Sequence, residues 1–96
     1  MLRHVVLFKI KEEFIPEIPQ LIKNFYGMLG KVEGLVSLES GQDILGSDRS
    51  YELALITTFT DRAAFDAYQT HPAHLPVKKR MHEVRESSVA CDFIVD

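Results

Sequence analysis

Cysteine is nearly missing from this 96-residue chain, in which Cys91 stands alone. A single thiol builds neither an intrachain disulfide framework nor a cysteine-rich zinc module. It fits a reducing compartment, so a cytoplasmic location is expected. A basic excess is missing too: 11 lysines and arginines face 14 aspartates and glutamates, for a formal net charge of −3. Nucleic acid and anionic membrane surfaces recruit proteins through surplus positive charge, so neither is an expected partner. No apolar run approaches the roughly 20 residues that cross a bilayer. Met1-Leu2-Arg3-His4 leads straight into a strand-like run, so no secretory leader is expected. Repeats, low-complexity tracts and linker-like stretches are absent, and residues 1–96 read as one domain. Phosphate-loop, dinucleotide, serine-elbow and paired-carboxylate signatures are absent as well.

What is present is a globular composition, 46% apolar and 26% charged. A domain this short buries only about 65% of the surface its unfolded chain exposes. Apolar content near one half therefore predicts more apolar surface than one protomer hides.

The pattern along the chain predicts seven elements. His4–Ile10 is short and rich in β-branched and aromatic residues, a strand signal. From Glu12 to Gly34, Ile18, Leu21, Ile22, Phe25, Met28, Leu29 and Val32 form an amphipathic stripe, which predicts a helix ending at Gly34. Leu35–Ile44 and Tyr51–Phe59 read as a hairpin, with Gly41 hinting at a bulge. Asp61 is placed to cap a short helix over Ala63–Gln69, and His71-Pro72 breaks it. A further helical piece, carrying Val77, Met81 and Val84 on its apolar side, runs to about Glu86; Val89–Val95 is the last strand. The order β-α-β-β-α-β predicts an α+β, ferredoxin-like fold, with both helical segments on one face of a four-stranded antiparallel sheet.

Strand alternation then divides the side chains. The larger set (His4, Val6, Phe8, Ile10, Leu53, Leu55, Phe59, Cys91, Phe93 and Val95) is expected beneath the helices. The other set holds Val5, Leu7, Ala54, Ile56, Ala90 and Ile94, with Lys9, Glu39, Glu52 and Asp92 around them. That second face is too apolar for water, and a second copy, sheet against sheet, is its simplest cover. A homodimer is expected.

Chemistry centres on the histidines. His71-Pro72-Ala73-His74 follows Tyr68 by three residues, and His4 opens the first strand on the helix side. A pocket between sheet and helices would bring His4, Tyr68 and His74 together, with Val6, Phe8, Ile22, Phe25, Leu55, Phe65, His71, Val77 and Met81 at the walls. Imidazole titrates near neutrality and suits acid–base work; a buried phenol donates to a carbonyl or enolate oxygen. Apolar walls suit a small hydrophobic ligand. Each residue also has a plainer reading: His4 as a strand-end histidine bonded to backbone, Tyr68 as a core aromatic, His71 and His74 as shapers of the break at Pro72. His82 and the Lys78-Lys79-Arg80 cluster read as a solvated face. His-x-x-His without an acid at suitable spacing does not make a metal site, so neither metal nor cofactor is expected. Cys91, alternating with Val89 and Phe93, reads as a small buried hydrophobe.

Taken together, the runs His4-Val5-Val6-Leu7-Phe8-Lys9-Ile10-Lys11, Tyr51–Phe59 and Ala67-Tyr68-Gln69-Thr70-His71-Pro72-Ala73-His74 resemble the stress-responsive alpha/beta-barrel domain family. The resemblance covers essentially the whole chain, to Cys91-Asp92-Phe93. It implies a dimeric α+β barrel in which two ferredoxin-like sheets face each other. The family includes plant stress proteins, bacterial members without a known activity and a plant polyketide cyclase, olivetolic acid cyclase. Resemblance to that cyclase implies His74 as the base on a carbon acid, Tyr68 as donor to the carbonyl oxygen and His4 as support for the substrate. Phe25 stands where the cyclase carries a tyrosine. The resemblance also leaves room for a non-catalytic stress or ligand-binding protein, and shared architecture suggests cofactor-independent monooxygenases.

Overall fold

Four strands form one antiparallel sheet, and the chain packs all its helices against one side of it. A computed structural model describes residues 1–95. β1 (Leu2–Ile10) is followed by a 3₁₀ segment, Glu12–Glu17, and α1 (Ile18–Tyr26); β2 (Leu35–Gln42) and β3 (Leu53–Phe59) form the hairpin. α2 (Arg62–Tyr68), α3 (Leu75–Val84) and β4 (Arg85–Ile94) complete the chain. The strand order β2-β3-β1-β4 places β1 and β3 in the middle and is the ferredoxin-like arrangement. Among the described residues no helix is long and apolar enough to cross a membrane.

The expected helix from Glu12 to Gly34 is shorter than its hydrophobic stripe. Pro16 lies inside the 3₁₀ segment and Pro19 sits in the first turn of α1, where a missing N–H costs little. Beyond Tyr26 the chain continues as turns, with Gly30 at φ +82° and Gly34 at φ +85°, a region open to glycine at little steric cost. The stripe still does its work: Ile18, Leu21, Phe25, Met28 and Val32 are all buried. Ala64 packs so close to Gly34 that an added Cβ would lie 2.5 Å from the Ala64 Cβ. Asp61 caps α2 by accepting a hydrogen bond from the Ala64 N–H at 2.8 Å. The expected bulge is misplaced: Gly41 pairs regularly with Ala54, and the irregularity lies between Leu35 and Ser37.

The larger correction concerns β4. This strand begins at Arg85, four residues earlier than expected, and pairs Ser88 with Phe8, Ala90 with Val6 and Asp92 with His4. Directly opposed residues share a face. Ser88, Ala90, Asp92 and Ile94 therefore lie on the helix side, whereas Val89, Cys91 and Phe93 stand on the open face beside Leu7, Val5 and Arg3. Side-chain size misled here, because β4 puts its small and polar residues on the inner side. Cys91 is exposed in the protomer rather than buried. The open face carries Cys91, Val5 and Ile56 in one row, and Val89, Leu7 and Ala54 in the next. Leu7 is 36%, Phe93 40% and Val89 47% exposed.

Candidate functional site

The break at Pro72 builds the site. His71 Nδ1 accepts the Ala73 N–H at 3.0 Å, and the His74 N–H donates to the His71 carbonyl at 2.9 Å, so the chain turns tightly between α2 and α3. This turn stacks the His74 ring on the Tyr68 ring, centroids 3.8 Å apart and planes 13° apart. It also sets the Tyr68 carbonyl 2.9 Å from His74 Nδ1. A carbonyl only accepts, so Nδ1 carries the hydrogen and Nε2 of the neutral ring keeps its lone pair. The Tyr68 carbonyl thus engages Nδ1, which leaves Nε2 as the basic nitrogen of the ring.

Burial, foremost, holds the His74 pKa below the ordinary histidine value. The Lys78 cation and His4 push the same way, while the bonds to the Tyr68 and Gln69 backbone oppose them. His74 is thus a neutral base near pH 7. Tyr68 is 2% exposed, packed between His74 and Phe59, whose ring lies 5.0 Å away. Burial pushes its phenol pKa well above 10, so the hydroxyl remains a proton donor. On β1, His4 Nδ1 donates to the Asp92 carboxylate across the sheet, and its ring lies 5.2 Å from that of Phe65.

These groups meet at a cavity of about 180 Å³. For scale, an engineered cavity of about 150 Å³ holds benzene. His4, Tyr68 and His74 line it together with Val6, Phe8, Phe25, Leu55, Val77 and Met81. Ile22, Phe65 and His71 were expected at the walls and are elsewhere. Ile22 packs against the main core, Phe65 meets Phe59 edge-on and His4 at a tilt, and His71 shapes the turn. Gln69, Lys78, His82, Arg85 and Ser88 line the cavity without having been expected to. A helical period shows how they could have been found: His74, Lys78 and His82 recur every four residues beside the Val77–Met81 stripe. The supposed solvated cluster is therefore divided. Lys78 turns to the cavity, Lys79 to solvent, and Arg80 forks onto Glu17 with Nε 2.7 Å from Oε2. Among the described residues, no three histidine, cysteine or acidic side chains gather as a metal site.

Such an arrangement can take a proton at Nε2 of His74 and donate a hydrogen bond from Tyr68 within a cavity of mixed apolar and polar lining. Comparison with known proteins places it among relatives. The sequence profile of the family described as the stress responsive A/B barrel domain matches residues 2–95. A stress-response A/B barrel domain-containing protein of Arabidopsis thaliana is 24% identical over 96 residues, spanning 97% of this chain and 85% of its own. A dimeric ferredoxin-like protein of unknown function from Thermobifida fusca has a TM-score of 0.88 at 23% identity, over 98% of this chain and 90% of its own. The hydroxynitrile lyase of Passiflora edulis has a TM-score of 0.85 at 24% identity, over 99% of this chain and 93% of its own. At such identities the two solved structures establish a shared fold.

Proposed function

The chain belongs to the stress-responsive A/B barrel domain family, and we propose that its cavity binds a small, largely apolar carbonyl compound and moves a proton on it. In this reading His74 Nε2 takes a proton from the carbon beside the carbonyl. The electron pair of that C–H bond moves onto the carbonyl oxygen, and the Tyr68 hydroxyl donates a hydrogen bond to the resulting enolate. The pair then returns from oxygen to carbon, which takes the proton back from His74 Nε2 in a new C–H bond and restores the neutral ring. His4, held by Asp92, supports the substrate at the opposite wall. No cofactor takes part. The observation that carries this reading is the bond from His74 Nδ1–H to the Tyr68 carbonyl, which leaves the lone pair on Nε2 of a ring stacked on that of Tyr68. A neighbour named as a hydroxynitrile lyase shows that this fold accommodates lyase chemistry, and the assignment to this chain rests on the side chains themselves.

The test follows exchange of the α-protons of 4-phenylbutan-2-one in ²H₂O by NMR. Wild-type protein accelerates exchange, and His74→Ala loses about 10²–10⁴-fold of that acceleration, the usual range for a general base. The melting temperature of the variant stays near that of the wild type. Equal exchange by both proteins contradicts the assignment. Binding of the ketone with no exchange contradicts proton transfer and favours a ligand-binding role for the same cavity.

We also propose that two copies join through the open sheet faces. Support comes from the apolar rows centred on Val5 and Leu7 and from the dimeric Thermobifida fusca neighbour.

A further inference from the structure

The cavity lining carries two cations and no carboxylate, in a protein whose net charge is −3. Lys78 and Arg85 both line it, both half-buried, with His82 and Ser88 between them. No aspartate or glutamate contributes to the wall; Asp92 reaches His4 without lining the space. Among the described residues Lys78 makes no side-chain hydrogen bond or ion pair, and Arg85 pairs with no carboxylate. This is unlike Arg80, between them in the chain, whose guanidinium is taken by Glu17 and Glu83. Arg85 is nevertheless held in place, donating to Ser88 Oγ at 2.6 Å and to His82 Nδ1 at 3.0 Å. A guanidinium has five N–H donors, so most of its donors remain free. Two cations with no counter-ion, one of them held in place, in a cavity that Val6, Phe8, Phe25, Leu55, Val77 and Met81 also line, fit an incoming anion better than a neutral polar group.

We propose that the ligand of this cavity carries a compact anionic head, a carboxylate or phosphate monoester, which Lys78 and Arg85 hold while its apolar body lies against Val6, Phe8 and Phe25. This rests on the cavity being the ligand site and deepens that reading by naming the ligand's charge. It gives the rim a second effect. An anion at Lys78 offsets the cation that helps keep His74 unprotonated, so binding the correct ligand strengthens the base beside it.

The experiment compares three probes of nearly equal apolar bulk on the whole protein: 3-phenylpropanoate, its amide 3-phenylpropanamide, and 2-phenylethyl phosphate. Dissociation constants are read from shifts of the cavity resonances in ¹H–¹⁵N spectra. At least one anion binds tenfold or more tighter than the amide, and the better anion identifies the head group. In Lys78→Met/Arg85→Gln the preference falls below threefold while the amide binds as in wild type, which also shows the variant folded. If the double variant does not fold, Lys78→Met alone reduces the preference at least threefold. An amide that binds as well as both anions, or a preference that survives removal of the cations, overturns the proposal and leaves the cavity as an uncharged ligand site. Failure of all three probes to shift cavity resonances overturns the proposal together with the cavity's assignment as a ligand site.

Discussion

A histidine becomes a base or a structural strut according to where its ring hydrogen goes, and the four histidines here differ in that respect. His74 gives its hydrogen to the Tyr68 carbonyl, His4 gives one to Asp92, and His71 and His82 accept through Nδ1. Catalysis by neutral His74 requires that the rate fall as pH drops through a pKa lying below the usual value of about 6.5. Above that pKa the profile stays level to beyond pH 10, because Tyr68 keeps its proton. Lys78→Met removes a cation that opposes protonation, so the acid limb moves to higher pH; an unmoved limb would show that Lys78 does not reach His74 electrically. The sign for stability is the same: a lowered folded-state pKa means the native state loses stability as pH falls below about 6.5. Thr57 offers a separate check. Its hydroxyl is buried without a partner, so Thr57→Val should raise stability by about 1 kcal/mol in urea unfolding. Residue types and spacing made His4, Tyr68 and His74 legible as a group. Asp92 was not, since its position next to His4 depends on pairing across strands far apart in sequence. Lys78 and Arg85 were hidden by the ordinary expectation that helix-borne charges face water.

At the level of elements, hydrophobic periodicity identified what is buried more reliably than where each element stops. The stripe from Ile18 to Val32 is continuous in the core although regular helix ends at Tyr26, because turn residues carrying Met28 and Val32 still face inward. Gly34 shows what the turn requires. Its φ of +85° and the nearness of Ala64 make Gly34→Ala doubly unfavourable, costing about 1–3 kcal/mol from backbone conformation before any clash. An unchanged urea midpoint would contradict that packing between the α1–β2 turn and α2. The last strand was misread for a physical reason as well. Alternation fixes which residues share a face and leaves open which face is inner. On β4 the inner row is Ser88, Ala90 and Asp92, so bulk was a poor guide.

For the whole molecule, apolar excess in a small domain divides between a cavity and an exposed sheet. Val5 and Leu7 lie at the centre of that sheet, so light scattering should give twice the chain mass for the wild type and the single-chain mass for Leu7→Glu. A wild-type protein of single-chain mass would contradict the proposed interface. The fold was readable because element order, turn residues and alternation agreed; the proposed partner rests on an unmet need for burial. The proposed chemistry turns on one ring. A long-range ¹H–¹⁵N spectrum of the histidine side chains at pH 7, assigned with His74→Gln, observes it directly. The expected result is a neutral His74 with its hydrogen on Nδ1 and a bare Nε2 that shifts when a cavity ligand is added. A charged His74 ring, or one whose hydrogen sits on Nε2, would contradict the assignment of His74 as the base.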